Sequence, residues 1–565
     1  MVSVIGEQGL GLFGHTQLGL GQSNTLGDAN TRLTVNAATG NLVITRRDDT
    51  LASNGIDTDL LRTYNSQGTL NQGSAGQFRF GFDQNLADLP ADKTSGTLTR
   101  NDGEGLAATF TWNDSQQRYI STSGNGSYDT LHFDTANNQW IFTDGDSQTT
   151  EIYDEAGQLQ SITDKEGQTL TFHYQDGRLT EIIDASGNST FLSYTDAGFV
   201  SRIHTLVEGS EHTLARYQYD DLNRISKVVI DLTPSDNTVL DGAVYSTSYT
   251  YHLDSSRIAS ISHSDGSYTE FDYIAHNAQW YVDRISDGNG NFTRFNYDLV
   301  NNLTTMTDAN GSEWQYLYNG AGQIIETRSP AVNGQISIQY YQYDSQGNLT
   351  EVRDALDNTH EYQYDEQGNI IREQHADGTV IERSYDTNNQ LLTETLSQLD
   401  LQSSEITYLS STRYAYDENG LLLFQVSAEG RVTHFEYNVK GQLISQFGYP
   451  ESIFNLANYS AAQAIILSDL QAWQGMQDKS KRSRTDYTYD IRGQLQRSQE
   501  FSRVDINGVG IANEQLLEMH YQYDLSGRLI AQATLRGQES EVLRFDYDGL
   551  GRLVLQSDNA GNTSS

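Results

Sequence analysis

From residue 151 to 449, and again from 486 to the end, the chain repeats one pattern. A short stretch with an aromatic or aliphatic side chain at every second position is followed by a polar turn, a second alternating stretch and another turn. The alternation is plain in TLTFHY (Leu170, Phe172, Tyr174), EWQYLY (Trp314, Tyr316, Tyr318), HEYQY (Tyr362, Tyr364) and VLRFDY (Leu543, Phe545, Tyr547). A period of two puts such side chains on one face of a β-strand. After the turn comes a second predicted strand, RLTEIID or NLTEVRD for example, and then a linking turn such as DKEG, DASG, DGNG, DANG or DNAG. One unit is a β-hairpin plus its link to the next hairpin.

A Tyr that enters a turn recurs at Tyr153, Tyr174, Tyr194, Tyr219, Tyr251, Tyr273, Tyr297, Tyr318, Tyr343, Tyr364, Tyr385, Tyr416, Tyr437, Tyr489, Tyr523 and Tyr547, and eleven of the fifteen spacings are 20 to 25 residues. That is the length of a supersecondary repeat. Seven copies read Tyr-Asp-x-x-Gly: YDEAGQL, YDSQGNL, YDEQGNI, YDENGLL, YDIRGQL, YDLSGRL and YDGLGRL. Asp opens such a turn by accepting backbone N–H bonds, and Gly closes it by taking positive φ. Asn223, Asn301 and Asn389 stand where Gly is missing, and Asn is the next most tolerant residue there. The copies at Tyr174, Tyr251 and Tyr273 keep neither residue, so their turns are expected to differ.

A lone hairpin is barely stable in water, so the units must lie edge to edge. The expected fold is all-β: antiparallel hairpins in one long sheet, which coils because strands twist. At two strands per repeat and roughly 4.8 Å per strand the ribbon is on the order of 150 Å long.

Composition narrows the function classes. Thirty-five basic against 75 acidic residues leave a net charge of -40 spread along the chain, which disfavours nucleic acid and anionic membrane as partners. Hydrophobic residues are only 36%, but 34 Tyr and 19 Phe are too many aromatics for a disordered acidic chain. There is no Cys, hence no disulfide or thiolate chemistry. No apolar run reaches membrane-spanning length, and the first residues lack a secretory signal's charged and apolar regions.

On the YDxxGRL and YDxxGNL copies, from about Glu151 to the end, the sequence resembles the Rhs (rearrangement hot spot), or YD-repeat, family. VNAATGNLVITRRDD (Val35 to Asp49) and LLRTYNSQG (Leu60 to Gly68) are similar to the segment that precedes the repeats in large secreted members. The resemblance implies a hollow β-shell of spirally wound hairpins. In bacterial toxins of the family the shell encloses a C-terminal toxic domain, released by a self-cleaving segment. Animal teneurins are similar in shell but act in adhesion, and the absence of Cys fits the bacterial branch better. No DPxG-type cleavage segment is present, so no catalytic residue is carried over.

The expected organisation is a Gly-rich lead at 1–30, a β-rich region at 31–150 that starts or caps the ribbon, repeats at 151–449, a helical insertion with basic connector at 450–485, and repeats at 486–565 with the last one truncated. The helix is expected in YSAAQAIILSDLQAWQG, with Ser460 and Gln463 as a capping box, Ile466, Leu470 and Trp473 on one face, and Gly475 at the end. It reads as a surface insertion packed on the wall rather than a partner-docking helix. The basic run Lys479 to Arg484 reads as a solvated connector rather than a processing site.

Motifs with chemistry are few. Gly9, Gly11 and Gly14 match a dinucleotide fingerprint but lack the strand before and the helix after. Asp287, Asn289, Asn291 and Asp298 are spaced like a calcium loop, yet Phe292 stands where that loop needs Gly; a β-turn is the reading adopted. Weak calcium binding by the acidic surface is the one cofactor reading left open. Together with the few motifs of chemistry, the resemblance implies a non-enzymatic shell segment of a secreted, extracellular or cell-surface protein, partnered by a C-terminal cargo or toxin domain of the same longer polypeptide. The alternative is an adhesion or carbohydrate-binding scaffold meeting a cell-surface or glycan receptor. The unfinished last hairpin leads to two further expectations, a longer physiological chain and an edge open to self-association.

Overall fold

The computed structural model describes residues 2–6, 10, 31–51, 53, 56–68, 74–121, 128–145, 147–207, 209–331, 333–490, 494–523, 529–537, 539–547 and 553–564. The turns expected at YDIRGQL, YDLSGRL and YDGLGRL, and the glycines Gly9, Gly11 and Gly14, lie outside these residues.

Among the described residues the strands form two sheets. A five-stranded sheet runs in chain order through Ser3–Ile5, Thr31–Asn36, Leu42–Leu51, Thr58–Asn65 and Phe78–Phe80. Its first strand lies parallel to the second, Val4 opposite Val35, so the beginning of the Gly-rich lead is part of a sheet. All remaining strands, from Asn85–Ala87 to Thr563–Ser564, form one antiparallel wall in which each strand pairs with its neighbour in sequence. The region 31–150 is therefore divided: residues up to Phe80 belong to the small sheet and residues from Asn85 onward to the wall. Alternation marks both halves as strand and carries no information about which sheet a strand joins.

The repeat is built as its residues dictate. In YDEQGNI, Asp365 Oδ1 accepts from the backbone N–H of Gln367 and Asn369, both at 2.9 Å. Gly368 closes the turn at φ +88°, and a β-bulge lies between Gln363 and Tyr364 where the strand leaves the ladder. Asn223 and Asn389 take the left-handed conformation in place of Gly. Asn301 does not: Asn302 carries the positive φ, because Tyr297 pairs with Thr304 without a bulge and the turn shifts by one residue. The copies at Tyr174 and Tyr273 turn through two consecutive left-handed residues, Asp176–Gly177 and Asn277–Ala278, the backbone of a tight type I′ hairpin. The Tyr251 copy uses Leu253 at φ 49° in a longer turn closed by His252 N–H to Arg257 O.

The tyrosine hydroxyls tie successive repeats together. Tyr364 donates to Leu349 O at 2.7 Å and Tyr343 to Ile324 O at 2.8 Å. The same bond is made by Tyr219, Tyr251, Tyr385, Tyr416, Tyr437, Tyr489 and Tyr523, each to the first strand residue after the preceding turn, while Tyr194 reaches Leu179, second in its strand, and Tyr297 reaches Val282, fourth in its strand. At Leu349 the ladder to the next strand begins only at Glu351. The phenol therefore satisfies a carbonyl that the sheet leaves over.

Side chains 220 to 251 residues apart meet at the rims of the wall, and these contacts define its winding. Asn348 donates to Tyr128 Oη at 2.6 Å, Asn389 to Gly145 O at 3.4 Å, Gln390 to Glu166 Oε1 at 3.0 Å, and Gln168 to Asn419 Oδ1 at 3.0 Å. Linking turns of a first winding thus support the Tyr-Asp turns of a second. The opposite rim of the first winding carries the small sheet and the segments joined to it: Val200 N–H bonds Ser74 O, Val282 N–H bonds Gly40 O, and Thr304 Oγ1 donates to Ala37 O.

Among the described residues the one α-helix spans Leu467–Gly475, shorter than expected. Ser460 and Gln463 form a turn ahead of it, Gln463 N–H bonding Ser460 O. Ile466 is its exposed N-cap, with no side-chain cap. Leu470 is buried with Phe454, Ile465 and Tyr449 against Phe424, Val426 and Val432 of the wall.

The inner face of the second winding as candidate functional site

Register fixes which side chains share a face. Starting at Tyr217, the partners run through Val228, Thr247 and Tyr249, then Ile261, Phe271, Ile285, Phe295, Met306 and Tyr316 to Tyr341. The small sheet rests on this face, so it is the inner one. Phe78 stacks edge-on to Tyr249 at 5.3 Å, and Phe80 edge-on to Tyr217 at 5.5 Å.

The hairpin of Leu42–Leu51 and Thr58–Asn65 carries a buried charge cluster into that interior. Arg62 Nη2 donates to Asp48 Oδ1 at 2.8 Å, Tyr217 donates to Asp48 Oδ2 at 2.8 Å, and Arg46 reaches Asp48 Oδ1 at 3.3 Å. Burial opposes the charge on Asp48, but the Arg62 and Arg46 charges and the hydrogen bonds overcome it and hold the carboxyl below its ordinary range. The Arg62 guanidinium also lies 4.8 Å from the Phe78 ring centre. At the start of the wall, Arg100 grips Glu151 through Nε at 2.8 Å and Nη2 at 2.5 Å, over the Phe142 ring. Both clusters are spent on joining the small sheet and the first strands to the interior.

Beyond Tyr341 the same face changes character. The register continues through Val352 and His360 to Tyr362, Glu373, Arg383, Glu394, Tyr414, Gln425, Phe435, Gln446, Tyr487, Met519, Tyr521 and Gln532. Tyr362, Arg383, Tyr414, Gln446, Tyr487 and Tyr521 are half-buried, and the apolar core on this face ends at Tyr341. Arg383 bridges two strands, at 2.5 Å to Glu373 Oε1 and 2.8 Å to Glu394 Oε2. Burial works against its charge, and the two carboxylates outweigh that and hold it protonated. Beside it the His360 and His375 rings meet edge-on at 4.7 Å. Burial pushes the Tyr362 and Tyr414 phenols up. The face offers aromatic area, amides and an ion-paired Arg, the groups that contact polypeptide.

The register also shows that the insertion packs on the outer face, since Phe424 and Val426 lie opposite in parity to Gln425.

Candidate ligand residues are used otherwise. Asp287 Oδ1 accepts from the N–H groups of Asn289 and Asn291, and Oδ2 from Asn291 Nδ2. Asp298 is occupied in the same manner by Val300 and Asn301 in the next turn. Among the described residues no group of three His, Asp or Glu side chains is placed to hold a metal ion, and no helix is long and apolar enough to cross a membrane. Lys479–Lys481 forms a short exposed turn, while Arg482 and Arg484 lie over Phe447 at 5.8 and 5.3 Å.

The sequence marked the repeat tyrosines but missed the polar inner face. Its signal is the replacement of aliphatic partners by Glu373, Arg383 and Glu394, visible only once register is known.

The model of the teneurin YD-shell matches residues 216–463, and that of the RHS repeat matches 153–189. The comparison with curated proteins finds no match. Among solved structures, TcdB2-TccC3-Cdc42 is 13% identical, with 93% of this chain and 32% of that chain covered and a TM-score of 0.35. The TcdB2-TccC3-TEV structure is 12% identical, covering 92% and 39%, TM-score 0.36. The Photorhabdus luminescens Tc holotoxin pore is 13% identical, covering 91% and 30%, TM-score 0.35. The chain spans about a third of the length of these structures.

Proposed function

The chain belongs to the Rhs/YD-repeat family, and from that premise we propose that it is a non-enzymatic shell segment whose second winding encloses a cargo polypeptide supplied by the rest of a longer secreted protein. The observation that supports this is the change in the inner face at Tyr341. Up to that point the wall is filled by its own N-terminal hairpin with an apolar core. Past it, half-buried Tyr362, Tyr414, Tyr487 and Tyr521 alternate with polar partners on the same concave side. A wall with one plugged tier and one polar tier separates an occupant from water and proteases without binding it as tightly as its own core.

The cargo is read as a toxin or effector domain C-terminal to the wall. An adhesion scaffold would need free aromatic platforms, and most of the tryptophans are otherwise engaged: Trp140 is fully buried, Trp112 stacks on Tyr119, and Trp473 packs on Tyr449 and Phe454.

Protease protection tests the proposal. The natural longer polypeptide is treated with proteinase K, alongside its downstream segment made separately. Survival of that segment only when it is attached to the wall supports enclosure; equal digestion in both samples overturns it.

A further inference from the structure

The insertion between strands Leu443–Gly448 and Ser483–Tyr489 is held to the outer face of the wall by an apolar contact with a histidine inside it. His434 is 7% exposed and stacked between Phe424, at 4.9 Å and 29°, and Phe447, at 5.4 Å and 25°. The insertion meets the ring through Gln474, whose amide Nε2 donates at 3.1 Å to Nδ1 and lies 3.2 Å from Nε2. The charged group facing the ring is Arg482, at the insertion's C-terminal end and itself stacked over Phe447 and Tyr449. The neighbouring strands contribute Phe424 and Phe447. Glu436 of its own strand is exposed, and Asp469 of the helix accepts from Tyr459.

We propose that His434 is an acid-sensitive catch: neutral, it holds the 449–482 insertion on the wall, and on protonation it releases the insertion while the wall stays wound. Three effects act in the same direction. A protonated ring turns from acceptor to donor and loses the Gln474 bond. Its charge is buried between two phenyl rings in an apolar pocket. It also faces the Arg482 guanidinium, a like charge. Burial first, and Arg482 second, lower its proton affinity to about 4 from the ordinary 6.5. Other polar anchors of the insertion, Ser411 to Ala461 O, Arg413 to Ser460 O, Ala461 O and Gln463 O, and the backbone bond from Phe454 N–H to Gly430 O, do not titrate in this range. Release uncovers the apolar outer patch of Ala415, Phe424, Val426 and Val432.

For a group neutral when docked, the undocked state gains a proton as pH falls below 6.5, so docking is complete above that value and weakens down to about 4. Hydrogen exchange of residues 449–482, corrected for intrinsic rates and compared with strand Val200–Val207, is measured at pH 7.5 and pH 5. The expected loss of protection is about thirtyfold in the insertion and none in the reference strand. His434→Phe removes the loss, and Arg482→Gln reduces it. Equal protection of the wild-type insertion at both pH values, an undiminished loss in His434→Phe, or an unchanged loss in Arg482→Gln overturns the proposal.

Discussion

The hydroxyl of Tyr364 donates to the carbonyl oxygen of Leu349 at 2.7 Å, joining the end of one hairpin to the start of the outgoing strand of the hairpin before it. The two residues of the YDxxGxL signature that look most like core filler are thus a donor and an acceptor in different repeats. Tyr364→Phe keeps the ring and deletes the bond, leaving a partly buried carbonyl unpaired. Loss of about 1 kcal/mol is expected, read as a small drop in the urea midpoint. Combining it with Tyr437→Phe, far along the wall, should sum the two effects.

Turn glycines should differ according to what surrounds them. Gly368 has φ +88°, and a Cβ there would lie 2.9 Å from Tyr128 of the first winding. Gly266 has φ +87° with open space around it. Gly266→Ala carries only left-handed strain, about 1 kcal/mol. Gly368→Ala adds a clash between windings and should cost more. Thermal unfolding of the two variants checks the order.

The buried Asp48–Arg62 pair should fail asymmetrically. Arg62→Met leaves the buried Asp48 carboxylate with only Arg46 and the Tyr217 hydroxyl as partners and should cost about 3 kcal/mol. Asp48→Leu and Arg46→Met combined with Arg62→Met remove all three buried charges and should recover much of that loss. Since the folded Asp48 carboxyl titrates below the 3.8 of a free one, its contribution is intact above about pH 4 and is lost as the pH falls through the folded value. Asp48→Asn should flatten that part of the acid limb in a stability-against-pH profile.

Leu470 is the buried anchor of the helix. Leu470→Ala should cost about 2–4 kcal/mol of docking, visible as faster trypsin cleavage at the exposed Lys479–Lys481 turn while the strands of the first winding stay protected.

The wall was legible in the sequence because one local rule, an Asp and a Gly around a turn between alternating strands, is written many times. Turns that broke the rule at Tyr174, Tyr251 and Tyr273 did differ, and each took another left-handed solution. The shift from Asn301 to Asn302 was hidden because both residues tolerate positive φ and only pairing chooses between them. The helix began seven residues after Ser460 because Arg413 takes the carbonyls of Ser460, Ala461 and Gln463. The inner face of the second winding was invisible for the same physical reason as the split of 31–150: a strand's sequence gives its two faces, and only its neighbours decide which one is inside.

The stacking of the second winding on the first is the central claim, and chemical cross-linking tests it most directly because the protein has no Cys. Gln168→Cys with Asn419→Cys places two thiols where the native side chains meet at 3.0 Å across 251 residues. With a short bis-maleimide at low protein concentration, a monomeric cross-linked product in high yield is predicted. Failure of this pair to link, while a control pair on adjacent strands of one winding links readily, would contradict the wound wall.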